Sequence, residues 1–154
     1  MLELYNWLLA IHVLGAVIWV GGSIALQIQA SRAERANDGL RMAALAADSE
    51  WIGQRIFMPA SLLLLAAGII MVVVGNWGFE TLWVVIGIAG FVYSIISGAA
   101  FLGPRSGKLK KLMAERPADD PEVTARIKEI LKFARIELVI LIVVVLDMTL
   151  KPTL

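Results

Sequence analysis

The chain has 154 residues, 59% hydrophobic and 18% charged, with a mean hydropathy of +0.80. That composition excludes a soluble domain of this size and leaves an integral membrane protein. A net charge of +1 singles out no charged partner, and the absence of cysteine removes disulfides, thiolate metal sites and thiol chemistry.

The first apolar run, Leu4 to Ser31, contains the only histidine. At 3.6 residues per turn, His12, Gly15, Ala16, Trp19, Gly22, Ser23 and Leu26 share one helical face. Such a face should meet other helices, or a ligand held between them, rather than lipid. Tyr5 and Trp7 suit an outer interface, and the missing positive n-region argues against a cleaved signal peptide.

Asn37, Asp38 and Gly39 read as a turn, after which Leu40 to Arg55 extends the second helix outside the membrane. Phe57 to Val74 is uncharged, and Pro59 near its start predicts a kink that frees a carbonyl. Gly75 to Gly78 is a short hairpin. Thr81 to Leu102 is the third uncharged run, with Gly87, Gly90, Ser94, Ser97 and Gly98 on a broad small-residue face. Pro121, capped by Asp120, starts the last helix. Its apolar part, Ile136 to Leu150, is interrupted by Glu137 and Asp147, which must face protein or water.

These signals predict an all-α polytopic membrane protein, a four-transmembrane-helix bundle in one domain. Its helices cover about 4–31, 41–74, 79–102 and 121–150, with cytoplasmic loops over about 32–40 and 103–120. Of the 14 basic residues, 13 fall between the first and second or between the third and fourth apolar runs, against Lys151 alone at the other end. Both termini are therefore expected on the non-cytoplasmic side. Lys108, Lys110 and Lys111 suit anionic lipid, and no aromatic interleaving suggests nucleic acid.

Glu137, Ile140, Val144, Asp147 and Lys151 form one stripe of the last helix. Asp147 can pair with Lys151 one turn on, and Glu137 enters level with Arg55, so two structural ion pairs are expected. The rival reading makes Glu137 or Asp147 a carrier of protons or cations. His12 lies about eight residues, roughly 12 Å, below the outer end of its helix, level with Ala66, Ala67 and Gly68 and with Gly87 to Gly90. Either the bundle closes tightly there or a flat ligand fills the space. His12 could then ligate haem iron, or copper with Met71 and Met148.

The run His12-Val13-Leu14-Gly15-Ala16-Val17-Ile18-Trp19, followed by Gly21 and Gly22, resembles the first helix of a group of small bacterial multi-pass proteins. The group comprises uncharacterised predicted integral membrane proteins, the copper-resistance protein D family and the flavin-independent membrane protoporphyrinogen oxidases. Arg55-Ile56-Phe57-Met58-Pro59-Ala60, Gly68, Arg135, Glu137 and Lys151-Pro152 extend the resemblance over most of the chain, which is most similar to the uncharacterised branch. The resemblance implies a four-helix bundle and a haem b or porphyrin site using His12, with Gly15, Trp19, Gly87 and Gly90 shaping its pocket. Quinone, porphyrin and a second copy of the chain are the partners it leaves open. Where the oxidases carry an early third-helix lysine this chain has Val84, Val85 and Ile86, and no histidine follows His12. Oxidase-like chemistry is thus left open, beside cation transport and a non-catalytic scaffold.

Overall fold

The computed structural model describes residues 2–152, whose regular structure is entirely helical. Four long helices run antiparallel in chain order: α1 (Leu2–Arg35), α2 (Gly39–Val74), α3 (Leu82–Glu115) and α4 (Pro121–Leu150). The first three are long and apolar enough to cross a membrane. The charged residues of α4 keep it from being a clear span of the same kind.

The spanning helices have 34, 36 and 34 residues. At ~1.5 Å per residue each exceeds 50 Å, against roughly 30 Å of hydrocarbon, so each must protrude. The excess lies at the basic end. The expected loop over 103–120 is a correction: α3 continues as helix to Glu115, and only a short connection precedes Pro121. Likewise α1 passes Ser31 and ends at Arg35. Tertiary packing explains both extensions. Ala33, Met42, Ala43, Leu109, Val123 and Ile127 form a buried core beyond the apolar runs, and Val123 is fully enclosed. In water such burial drives association. Asp38 and Asp120 cap the helices entering this core, accepting from the Arg41 amide at 3.0 Å and the Glu122 amide at 2.7 Å.

Within the apolar runs, helices meet where one of them is narrow. A Cβ on Gly15 would sit 2.9 Å from Leu64 Cβ and 3.0 Å from the Ala60 carbonyl oxygen, so α1 and α2 approach almost backbone to backbone. Gly22 takes the Phe57 ring. On the other side, Met148 and Val144 of α4 fill the spaces above Gly87 and Gly90 of α3. Between α2 and α3 the helices part, leaving a wholly apolar groove of about 380 Å³ that Leu65, Ile69, Ile88, Phe91 and Ile95 help to line. Val72, Trp83 and Val84, with Met148 against them, close the end opposite the basic one.

Each of the first three helices widens into a π turn, at Val17–Gly21, Gly53–Phe57 and Ser97–Leu102. Proline explains two of them. Pro59 and Pro104 lack the amides that would bond the carbonyls four residues earlier, so the preceding turn relaxes to a longer pitch. The Met58 amide then reaches the Gly53 carbonyl, and the Gly103 amide that of Gly98. The kink expected at Pro59 is thus absorbed as a π turn. In α1, with no proline, the Gly22 amide is shared between the Ile18 and Trp19 carbonyls.

Because Gly15 abuts backbone, Gly15→Ala should lower the thermal transition of detergent-solubilised protein, by about 1–3 kcal/mol of stability. Gly21, with no atom within 4 Å of its would-be Cβ, is the control: Gly21→Ala should leave the transition unchanged or raise it.

Candidate functional site

His12 is half-buried on the α1–α2 seam. Its Nδ1 donates to the Leu64 carbonyl at 2.8 Å, and its ring lies over Gly68, whose would-be Cβ is 3.1 Å from Nδ1 and Cε1. Only a small residue at position 68 admits the ring this close. With Nδ1 fixed as donor, Nε2 is the free ligand atom, having no partner among the described residues.

The other residues expected around a ligand do not gather at His12. Gly15 packs against Leu64 and Ala60. Gly87 and Gly90 belong to the α3–α4 seam, occupied by Met148 and Val144. Trp19 reaches α3, its ring edge-on to Phe91 with centroids 6.0 Å apart. Of the methionines considered for copper, Met148 packs on Gly87. Among the described residues no group of three or more His, Asp or Glu could hold a metal ion. Within the single chain, Gly15, Trp19, Gly87 and Gly90 therefore do not line a common pocket with His12.

Both expected ion pairs are corrections. Arg55 is exposed and pairs with no acidic residue among those described, while half-buried Glu137 lies beside Ser94 of α3. The Ser94 hydroxyl is buried without a satisfied hydrogen bond. Arg55 precedes Pro59 by one turn and lies within the π turn Gly53–Phe57, which changes the face it presents. Nor does Lys151 pair with Asp147. It ends α4 in the left-handed conformation, with its amide bonded to the Asp147 carbonyl at 2.8 Å. Its ammonium lies 5.2 Å and 5.1 Å from the Trp77 and Trp83 ring centroids. That cradle takes the cation away from the carboxylate.

Asp147 is consequently the most exceptional group in the structure. It is 7% exposed, and both its carboxylate oxygens are buried without a hydrogen-bond partner. On the helix it follows Val144 by one turn and precedes Met148, placing it at the α3–α4 seam.

Other contacts have weaker sequence signals. Arg105 bonds Glu129 through Nε at 3.1 Å and lies over the stacked rings of Phe101 and Phe133; the four-residue step from Phe101 to Arg105 is its only local hint. Arg135 binds Glu34, about a hundred residues away in sequence, and Ser31 at 3.5 Å. No local pattern announces that pair.

The long apolar helices, narrow seams and intramembrane polar groups define a multi-pass helical integral membrane protein. The chain belongs to the family described as predicted integral membrane protein (DUF2269), whose model matches residues 6–152. No curated protein and no solved structure matches it.

A double-mutant cycle separates the observed pairing from the expected one. Glu34→Gln with Arg135→Gln should show a coupling of about 0.5–1 kcal/mol in thermal or denaturant unfolding. Arg55→Gln with Glu137→Gln should show none.

Proposed function

We propose that this protein moves protons or small cations across its membrane, using Asp147 as the membrane-embedded exchange group and Glu137 as a second station. The unpartnered, buried carboxylate of Asp147 carries this reading. An ionised carboxylate without hydrogen bonds in an apolar seam is strongly unfavourable, so a proton or cation from outside must neutralise it. Glu137 lies ten residues earlier, about 15 Å along the helix, too far for direct transfer. The Ser94 hydroxyl beside Glu137 supplies one intermediate polar group, and water entering the seam must supply the rest. The reading also needs α4 to cross the membrane as a fourth span, with the basic end in the cytoplasm. Its support is the antiparallel seating of Val144 and Met148 on Gly90 and Gly87 of α3, deep within an apolar run.

In proteoliposomes containing a pH-sensitive dye, an imposed potassium diffusion potential should drive proton or cation flux above that of protein-free vesicles. Asp147→Asn should remove at least about nine-tenths of it. Asp147→Leu should abolish flux while preserving or raising thermal stability, since it replaces an unsatisfied buried carboxylate. Wild-type flux equal to that of empty vesicles overturns the proposal.

A second reading rests on the free Nε2 of His12. The chain's resemblance to the copper-resistance and oxidase families suggests that His12 holds a haem b or porphyrin. In this reading the group sits between two copies that each contribute a His12, since Met148 and Val144 already fill the spaces above Gly87 and Gly90. When bound it would supply one-electron chemistry; the chain's own part is to hold the imidazole by the Leu64 carbonyl with Nε2 outward. Protein purified after expression with ample haem should show a Soret band that His12→Ala removes. A colourless dimer, or a band unaffected by His12→Ala, overturns this reading and leaves the Asp147 reading intact.

A further inference from the structure

At the basic end, α1 and α4 separate to leave a groove of about 480 Å³ that the proposed transport chemistry does not use. Its two ends differ in character. Ile24 and Ile28 of α1 and Leu138 and Val139 of α4, with Gln27 as the one polar residue among them, line the end that lies deeper in the apolar runs. Arg32, Arg35 and Arg135 line the other, with Ser31 beside them. From Ile24 to Arg32 the helix advances about 12 Å. Helix α4 runs the opposite way, so Arg135, one turn before Leu138 and Val139, reaches the same end as Arg32.

Among the described residues, no acidic side chain lines this groove. Glu34, on the neighbouring face, engages Arg135, whereas Arg32 and Arg35 have no acidic partner among the described residues. The groove therefore offers an excess of two positive charges at its mouth. A largely hydrocarbon wall begins about 6 Å behind it and extends to about 12 Å. Water fits only the first part of that arrangement, and a lipid tail only the second.

We propose that the groove is a binding site for one anionic glycerophospholipid of the leaflet at the basic end. Its phosphate lies among Arg32, Arg35 and Arg135, and an acyl chain runs down the wall formed by Ile24, Ile28, Leu138 and Val139. Guanidinium groups bind phosphate oxygens through two parallel N–H donors, a geometry that lysine does not offer. The site is distinct from the diffuse attraction of Lys108, Lys110 and Lys111, which sit on α3 away from it. Seated between α1 and α4, the lipid ties the fourth helix to the first where their side chains leave space.

The test is native mass spectrometry of the full chain released from detergent micelles, titrated with phosphatidylglycerol or with phosphatidylcholine of the same acyl chains. One phosphatidylglycerol should be retained in preference to phosphatidylcholine. Arg32→Gln with Arg35→Gln should weaken its retention about 30-fold, each cation at a charged membrane surface contributing on the order of fivefold. Lys108→Gln, Lys110→Gln and Lys111→Gln together should leave it unchanged. Ile28→Trp, which fills the wall and keeps every charge, should weaken retention with the helical circular dichroism intact. Chainless glycerol phosphate should not compete. Equal retention of the two lipids, equal losses in the lysine and arginine variants, indifference to Ile28→Trp, or competition by glycerol phosphate would each overturn the site.

Discussion

Helices in hydrocarbon gain no hydrophobic advantage from touching one another, so everything here depends on how closely α1 and α2 approach. At Gly15 the approach is limited by backbone atoms of α2, leaving dispersion and polar contacts to hold the pair. His12 adds a directional bond one turn away, donating to the Leu64 carbonyl across the same seam. Because Gly68 yields room for the ring, that hydrogen bond and the close packing coexist. A larger residue at either glycine would force the helices apart and stretch the bond. The histidine's geometry is therefore set by the seam.

Around this pair the stabilising forces change with the solvent. Beyond the apolar runs, the core of Met42, Val123 and Ile127 is assembled by the hydrophobic effect, as in a soluble helical bundle. The surfaces of α1, α2 and α3 along those runs remain rich in exposed large apolar side chains, which lipid solvates without penalty. Surface ion pairs such as Arg116 with Glu122 and Lys110 with Glu50 decorate the watery end and contribute little individually. Two of the π turns, Gly53–Phe57 and Ser97–Leu102, fall between these two regimes. There the Pro59 and Pro104 rings interrupt amide bonding, and the backbone widens rather than breaking.

The helical class was legible in the sequence because hydropathy and helix periodicity are one-dimensional properties. The small-residue positions were legible for the same reason, but their partners were not. Gly87 and Gly90 look equivalent to Gly15 in spacing, yet they receive Met148 and Val144 of α4, whereas Gly15 receives α2. Depth alone places them level with His12; only azimuth separates the seams. The Arg55 to Glu137 expectation failed for a related reason, since a π turn rotates the rest of its helix and a spacing rule assumes a uniform α-helix. The length of α3 was misread because Lys108 to Glu115 signals solvent, and solvent exposure does not distinguish a loop from an amphipathic helix whose apolar side, Leu109 and Leu112, has a core to join.

Lys151 and Asp147 show how two compatible local rules compete. A one-turn spacing favours their ion pair, worth a few tenths of a kcal/mol on an exposed helix. At this helix end the lysine lies one residue past the last turn, in a left-handed conformation that swings its side chain off the Asp147 face. Two tryptophan rings from the α2–α3 connection and the start of α3 are there to receive the ammonium. Cation–π contact with two faces outweighs a single solvated pair. The aspartate left behind gains nothing from Val144 or Met148, its neighbours along the helix. A chain shaped only for stability would carry leucine there, so retaining a carboxylate at that position is a cost that packing alone does not explain.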